Sequence, residues 1–165
     1  MRLLRTLLLV ELGAWLGAMA SAAFVKRALP SRGDEESDEV SLIAIFDGID
    51  LKSRAKAFRG GSMFSWYGGI SVDLREAELA PGAHLKLHTL FGGIAIRVPA
   101  GWRVESNVNV LAGGVDVRAA EDGGPDAPTL TLEGMALFGG IAVGAKADEV
   151  AAFADEVAAA PAPES

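Results

Sequence analysis

Residues 90–96 read Leu90-Phe91-Gly92-Gly93-Ile94-Ala95-Ile96, and the pattern returns four more times along the chain. The other copies are Ile45-Phe46-Asp47-Gly48-Ile49-Asp50-Leu51, Trp66-Tyr67-Gly68-Gly69-Ile70-Ser71-Val72, Leu111-Ala112-Gly113-Gly114-Val115-Asp116-Val117 and Leu137-Phe138-Gly139-Gly140-Ile141-Ala142-Val143. Measured from the last glycine of each copy, the spacings are 21, 24, 21 and 26 residues. Self-similarity at this period marks stacked units, none of which can bury its inward face alone. After every glycine the order is apolar, variable, apolar, the period of two that belongs to a strand with one face turned inward. Leu85-Lys86-Leu87-His88-Thr89 and Val104-Glu105-Ser106-Asn107-Val108-Asn109-Val110 alternate in the same way before the glycines.

Gly48, Gly68, Gly69, Gly92, Gly93, Gly113, Gly114, Gly139 and Gly140 are therefore expected at corners. There the backbone takes φ > 0 or approaches the neighbouring rung too closely for a Cβ, and the residue before the pair stacks from rung to rung. The expected fold is all-β, a short single-stranded β-solenoid of about five rungs covering residues 41–146. An antiparallel sandwich with glycine-rich hairpins is the competing expectation.

Charge divides the rest of the chain. The total is -7 over 165 residues, but residues 1–33 carry +4, 34–40 carry -5, 41–146 carry -1 and 147–165 carry -5. This balance offers no basic surface for nucleic acid, which is not an expected partner. The acidic stretch 34–40 reads as an extended, solvated linker. From Leu7 to Val25 only Glu11 and Ser21 are polar, with Arg2 and Arg5 before and Lys26 and Arg27 after. Nineteen residues span a hydrocarbon core of about 30 Å, so a single membrane helix within 1–33 is expected. Glu11 opposes this at about 2.5–3.5 kcal/mol for a central carboxylate, although it lies near one end of the segment. Gly13, Gly17 and Ser21 form a small-xxx-small stripe on which two such helices could pack. A cleaved signal peptide, with Ala18-Met19-Ala20 or Ala20-Ser21-Ala22 as its site, is the alternative. In the tail 147–165, Val150, Phe153 and Val157 fall on one face of a short helix, followed by an acidic disordered end.

The chain holds no cysteine, so no thiol nucleophile, disulfide or Cys-type metal site exists. His84 and His88 lie four apart in a strand-like run, about 13 Å from each other, too far to share a metal. Asp50, Asp73 and Asp116 follow the corners at similar offsets and read as a solvated polar row. No nucleophile elbow, phosphate loop or zinc helix motif occurs. No catalytic, cofactor-binding or metal-binding residue is assigned, and an enzyme is not expected. Trp66, Tyr67 and Trp102 are the candidate contact residues, because large aromatics dominate interface energetics. Trp102 has an equal claim as a lid over the core.

The run Phe91-Gly92-Gly93-Ile94-Ala95-Ile96-Arg97-Val98-Pro99-Ala100-Gly101-Trp102-Arg103-Val104-Glu105-Ser106, continued at Leu111–Val117 and Gly134–Ile141, resembles the C-terminal domain of LiaF-like bacterial proteins, the toastrack β-solenoid group. The resemblance covers about residues 41–146. It implies a membrane-tethered, non-enzymatic domain, cytoplasmic in placement, that modulates the cell-envelope stress response through contacts with other membrane or signalling proteins. The namesake of the group has several membrane helices before this domain, whereas this chain has room for one. The alternative function is a membrane-associated scaffold of self-assembling solenoids, hence a homo-oligomer. In either case the bilayer is a partner.

Overall fold

A computed structural model of the protein describes residues 30–118 and 126–145. The chain divides into two compact units, Met1–Pro30 and Ser31–Ser165. The expected membrane helix, with Gly13, Gly17 and Ser21, and the expected tail helix of 147–165 lie outside the described residues. Among the described residues no helix is long and apolar enough to cross a membrane.

The described residues of the second unit form eight strands: β1 (Glu39–Ile45), β2 (Gly48–Lys52), β3 (Phe58–Trp66), β4 (Gly69–Asp73), β5 (Leu79–Leu90), β6 (Gly93–Arg97), β7 (Arg103–Arg118) and β8 (Thr129–Gly144). Every pairing between named strands is parallel, in the order β1-β3-β5-β8-β6-β4-β2, with β7 beside β8. Hairpins give antiparallel neighbours, so the sandwich alternative is excluded. The sheet is solenoid-like and nearly closed, because β8 bends at its glycines and pairs β5 with its first half and β6 with its second.

Each sequence copy thus supplies one pass of chain, bent at its glycine corner. The passes do not stack in chain order. A coil wound in sequence would set β7 against β5 and β6, yet the fifth pass, β8, lies between the third pass and the fourth. The reason is legible in the inward columns. Leu130, Leu132, Ile141 and Val143 of β8 are 0–1 % exposed, whereas β7 offers Val104, Ser106, Val108, Val115 and Val117 to the same columns and stays half-covered. The more apolar strand takes the interior place, where about 25 cal/mol is gained for each Å² of apolar surface removed from water.

Register brings the inward residues into rows. Ile49, Ile70, Ile94, Ile141 and Val115 form one row, and Leu51, Val72, Ile96, Val143 and Val117 the next. Parallel strands buried on their inner face need this β-branched and leucine-rich filling. Phe58, Leu74, Val98 and Trp102 join the core from the loops and strand ends.

The acidic stretch 34–40 is not a free linker. Residues 39 and 40 open β1, residues 31–32 bond to β1, and Glu35 and Asp38 bond to the β2–β3 loop and to β3. Arg32 N–H donates to Ser41 O at 2.7 Å and Ser41 N–H returns the bond at 2.8 Å. Arg59 N–H donates to Asp38 O at 2.7 Å, and the Arg54 side chain pairs with Glu35. Local bonds within the stretch offset the like charges: Glu36 N–H donates to Asp34 Oδ1 at 3.1 Å and the Ser37 hydroxyl to the same oxygen at 2.7 Å.

At the end of β4, Asp73 is gripped by Arg75, whose Nε and Nη2 reach its carboxylate oxygens at 2.9 and 2.6 Å. The Arg75 hydrogen bond and charge, with Arg97 adding to them, hold the Asp73 carboxyl below its ordinary range despite partial burial. A folded-state value below the unfolded one means stability that is complete above about pH 4 and is lost as the pH falls through the folded value. Because Arg75 is half exposed and its charge is screened by solvent, Arg75→Gln is expected to lower stability only slightly at pH 7. The difference from wild type should shrink in urea titrations as the pH is lowered through the range where Asp73 takes up its proton; a difference independent of pH would place its origin elsewhere.

Candidate functional site

In four of the five copies the residue before the corner glycines holds the unusual backbone, and in the fourth Gly113 itself does, at φ 117°. Phe46, Tyr67, Phe91 and Phe138 have φ of 50, 48, 52 and 51°, in the left-handed region that side chains rarely adopt. Such a conformation costs on the order of 1–3 kcal/mol unless its surroundings hold it. Here the main chain does so. Phe46 N–H donates to Trp66 O at 3.0 Å, Tyr67 N–H to Leu90 O at 3.1 Å and Phe91 N–H to Leu137 O at 3.0 Å, each bond running to the next pass. The second glycine bonds in the other direction: Gly69 N–H to Asp47 O, Gly93 N–H to Gly68 O and Gly140 N–H to Gly92 O, all at 3.1 Å.

The first glycine of each pair is required by closeness. A Cβ on Gly68 would lie 2.4 Å from Asp47 O, on Gly92 2.3 Å from Gly68 O, and on Gly139 2.3 Å from Gly92 O. The second glycine is not so confined, since Gly48 and Gly69 have open space and Gly93 only an ordinary contact at 3.8 Å. The first copy departs from Gly-Gly for the same reason. Asp47 takes the first-glycine place in the first pass, with no earlier pass among the described residues to collide with, and its Oδ1 accepts Gly48 N–H at 2.8 Å.

This corner turns the aromatic side chains outward and aligns them along the stack. Phe46 and Tyr67 have ring centroids 5.2 Å apart, Tyr67 and Phe91 4.9 Å, and Phe91 and Phe138 5.0 Å, with interplanar angles of 8, 15 and 5°. The four rings are 38–49 % exposed. Trp66 leans against the first two at a tilt. Beside the ladder, Phe64 and Met135 stand exposed on the outer face, and with His88, Leu90 and Leu137 they line a shallow apolar depression. The ladder ends at Phe138, because the fourth copy places Ala112 and Gly113 against it across a bulge. Together these side chains form a contiguous exposed apolar strip, a kind of surface that monomeric proteins seldom leave uncovered.

Of the candidate contact residues, Tyr67 belongs to the ladder and Trp66 flanks it. Trp102 does not: it is 6 % exposed within the core, so it is a lid and cannot meet a partner. Phe46, Phe91 and Phe138 complete the surface, and the signal for them was the aromatic residue repeated before the glycines. His84 and His88 point outward from β5 with Lys86 between them, while Leu85 and Leu87 point inward. The expected row of acids does not form. Asp50 and Asp116 share a register column but are separated in it by Ser71, Ala95 and Ala142, and Asp73 lies in another column with Lys52 and Arg97. Among the described residues no three His, Asp or Glu side chains come together as a metal site.

No family model and no solved structure matches the chain. It is similar to two curated proteins, one from each of two strains of Mycobacterium tuberculosis, both described as uncharacterized, at 26 % and 25 % identity over 117 residues. The matched region is 69 % of this chain and 58 % of each relative, so the chain spans less than two thirds of their length.

Proposed function

We propose that the protein is a membrane-anchored, non-enzymatic interaction module of the bacterial cell-envelope stress response, a five-rung β-solenoid held on the cytoplasmic side by a single N-terminal helix. The observation that carries this reading is the exposed ladder Phe46, Tyr67, Phe91 and Phe138, kept at left-handed backbone positions where stability alone favours other residues. The resemblance to LiaF-like domains supports the stress-response setting, and the apolar run Leu7–Val25 supports the anchor.

A photoactivatable phenylalanine at position 91, in chain expressed in the native bacterium, is expected to form an adduct with another membrane protein. The same probe at the exposed Lys56, outside the ladder, should not. Tyr67→Lys should reduce the adduct roughly thirty-fold, the equivalent of a hot spot worth about 2 kcal/mol. Equal labelling from both positions, or an envelope-stress reporter indifferent to Tyr67→Lys, would sink the reading. A second reading, a self-assembling scaffold, rests on β7, whose outer edge has no strand partner among the described residues.

A further inference from the structure

The two ends of the stack are unlike. At the first, residues 31–32 run antiparallel along β1: besides the Arg32–Ser41 pair of bonds, Ile43 N–H donates to Ser31 Oγ at 3.0 Å. Among the described residues β2, of five residues, has no strand on its outer edge there. At the other end β7 presents sixteen residues, a contour of about 50 Å, with its free edge unpaired among the described residues. Its inward Val104, Val108, Val115 and Val117 are half-covered, and Val110 and Leu111 are 40 % and 72 % exposed. A long, open, apolar strand edge is a template for another strand.

We infer that β7 pairs antiparallel with β7 of a second copy of the chain, joining two stacks head to head in a closed dimer. This rests on the self-assembly reading and replaces its open-ended growth with a stoichiometry of two. Head-to-tail growth would set β7 on β1 of the next copy, where Arg32 already holds the edge. Head-to-head pairing needs no displacement, and a twofold interface requires only that one surface complement itself. The strand satisfies that requirement. It begins Arg103-Val104-Glu105 and ends Asp116-Val117-Arg118, and at its corner, as in every pass, the inward positions change from even to odd numbers or the reverse. In one register Val108 lies opposite Val115 of the second copy and Glu105 opposite Arg118 of the second copy, each contact occurring twice. Apolar groups then meet on the inner face, and opposite charges meet on the outer face beside the existing Arg118–Asp116 ion pair at 2.7 Å. The twofold axis passes between Leu111 and Ala112.

The chain has no cysteine, so an introduced one is the sole thiol. In full-length protein in its membrane or in detergent, Leu111→Cys is expected to give a disulfide-linked dimer on mild oxidation, at least tenfold more than Asp50→Cys on β2. Leu111→Lys should lower the dimer fraction by tenfold or more with the far-UV spectrum unchanged. Equal cross-linking from both positions would mean proximity imposed by the N-terminal segment, and would overturn the β7 interface. Species larger than dimers would overturn the closed pair while leaving self-assembly standing. A monomer would overturn both, and so would a full chain that dimerises only after residues 146–165 are deleted, since the tail would then be the occupant of the edge.

Discussion

A chain ending at Arg118 is expected to lose cooperative unfolding altogether. If the passes followed chain order, removing the last would leave four stacked passes and cost one interface. With β8 between the third pass and the fourth, its removal strips β5 and β6 of their neighbour and leaves β7 with none. β7 cannot take the vacated place at equal stability, because it would set Ser106 where Leu132 is fully buried. The lost burial of Leu130, Leu132, Ile141 and Val143, at roughly 1.5–3 kcal/mol for each side chain, reaches the whole stability of a typical domain, about 5–15 kcal/mol. Thermal and urea melts followed by circular dichroism check this. A sharp transition within a few degrees of the intact chain would refute the interleaved order.

Gly92→Val is expected to destabilise the protein by about 3 kcal/mol or more, and Gly93→Val by less than about 1 kcal/mol. At Gly92 the added carbon meets Gly68 O at 2.3 Å and Ser65 Oγ at 2.7 Å. The carbonyl accepts Gly93 N–H from the next pass and the hydroxyl donates to the same carbonyl at 2.7 Å within its own corner, so neither can move without breaking a hydrogen bond. At Gly93 the nearest atom is 3.8 Å away, in a strand that suits a β-branched residue. The melting temperature of the first variant should fall by roughly 10 °C or more and that of the second should hardly move. Equal effects would show that the two glycines share one role.

That pair of substitutions also measures what could be read from the sequence. The repeat, the alternation after each glycine and the outward placement of His84, Lys86 and His88 are all visible in the order of apolar and polar residues, because a one-sided strand imposes that order. The division of labour at the corner is not visible. Two adjacent glycines invite φ > 0 or a close approach at one of them; Gly113 has the positive φ, whereas at Gly68, Gly92 and Gly139 the left-handed residue is the aromatic one before the pair and the first glycine answers to the carbonyl beneath it. Asp47 held the clue, since an exception in the first copy alone points to a neighbour that the first copy lacks. The exchange of the fourth and fifth passes had a signal too: Ser106, at an inward position among asparagines, marks the copy least fit for the interior. Both copies carry the same glycine pair, so the repeat by itself could not order them.

The interleaving also bears on how the chain is made. Synthesis delivers β7 while β5 and β6 still expose the edge that β8 will occupy, so the first partner β7 meets is the wrong one. Non-local strand pairing is already slow, and here the final segment has to enter between two passes made before it. The nascent chain therefore passes through a stage, between the emergence of residue 118 and that of residue 144, when its longest edges are unprotected. Anything that stalls translation in that window leaves an adhesive intermediate.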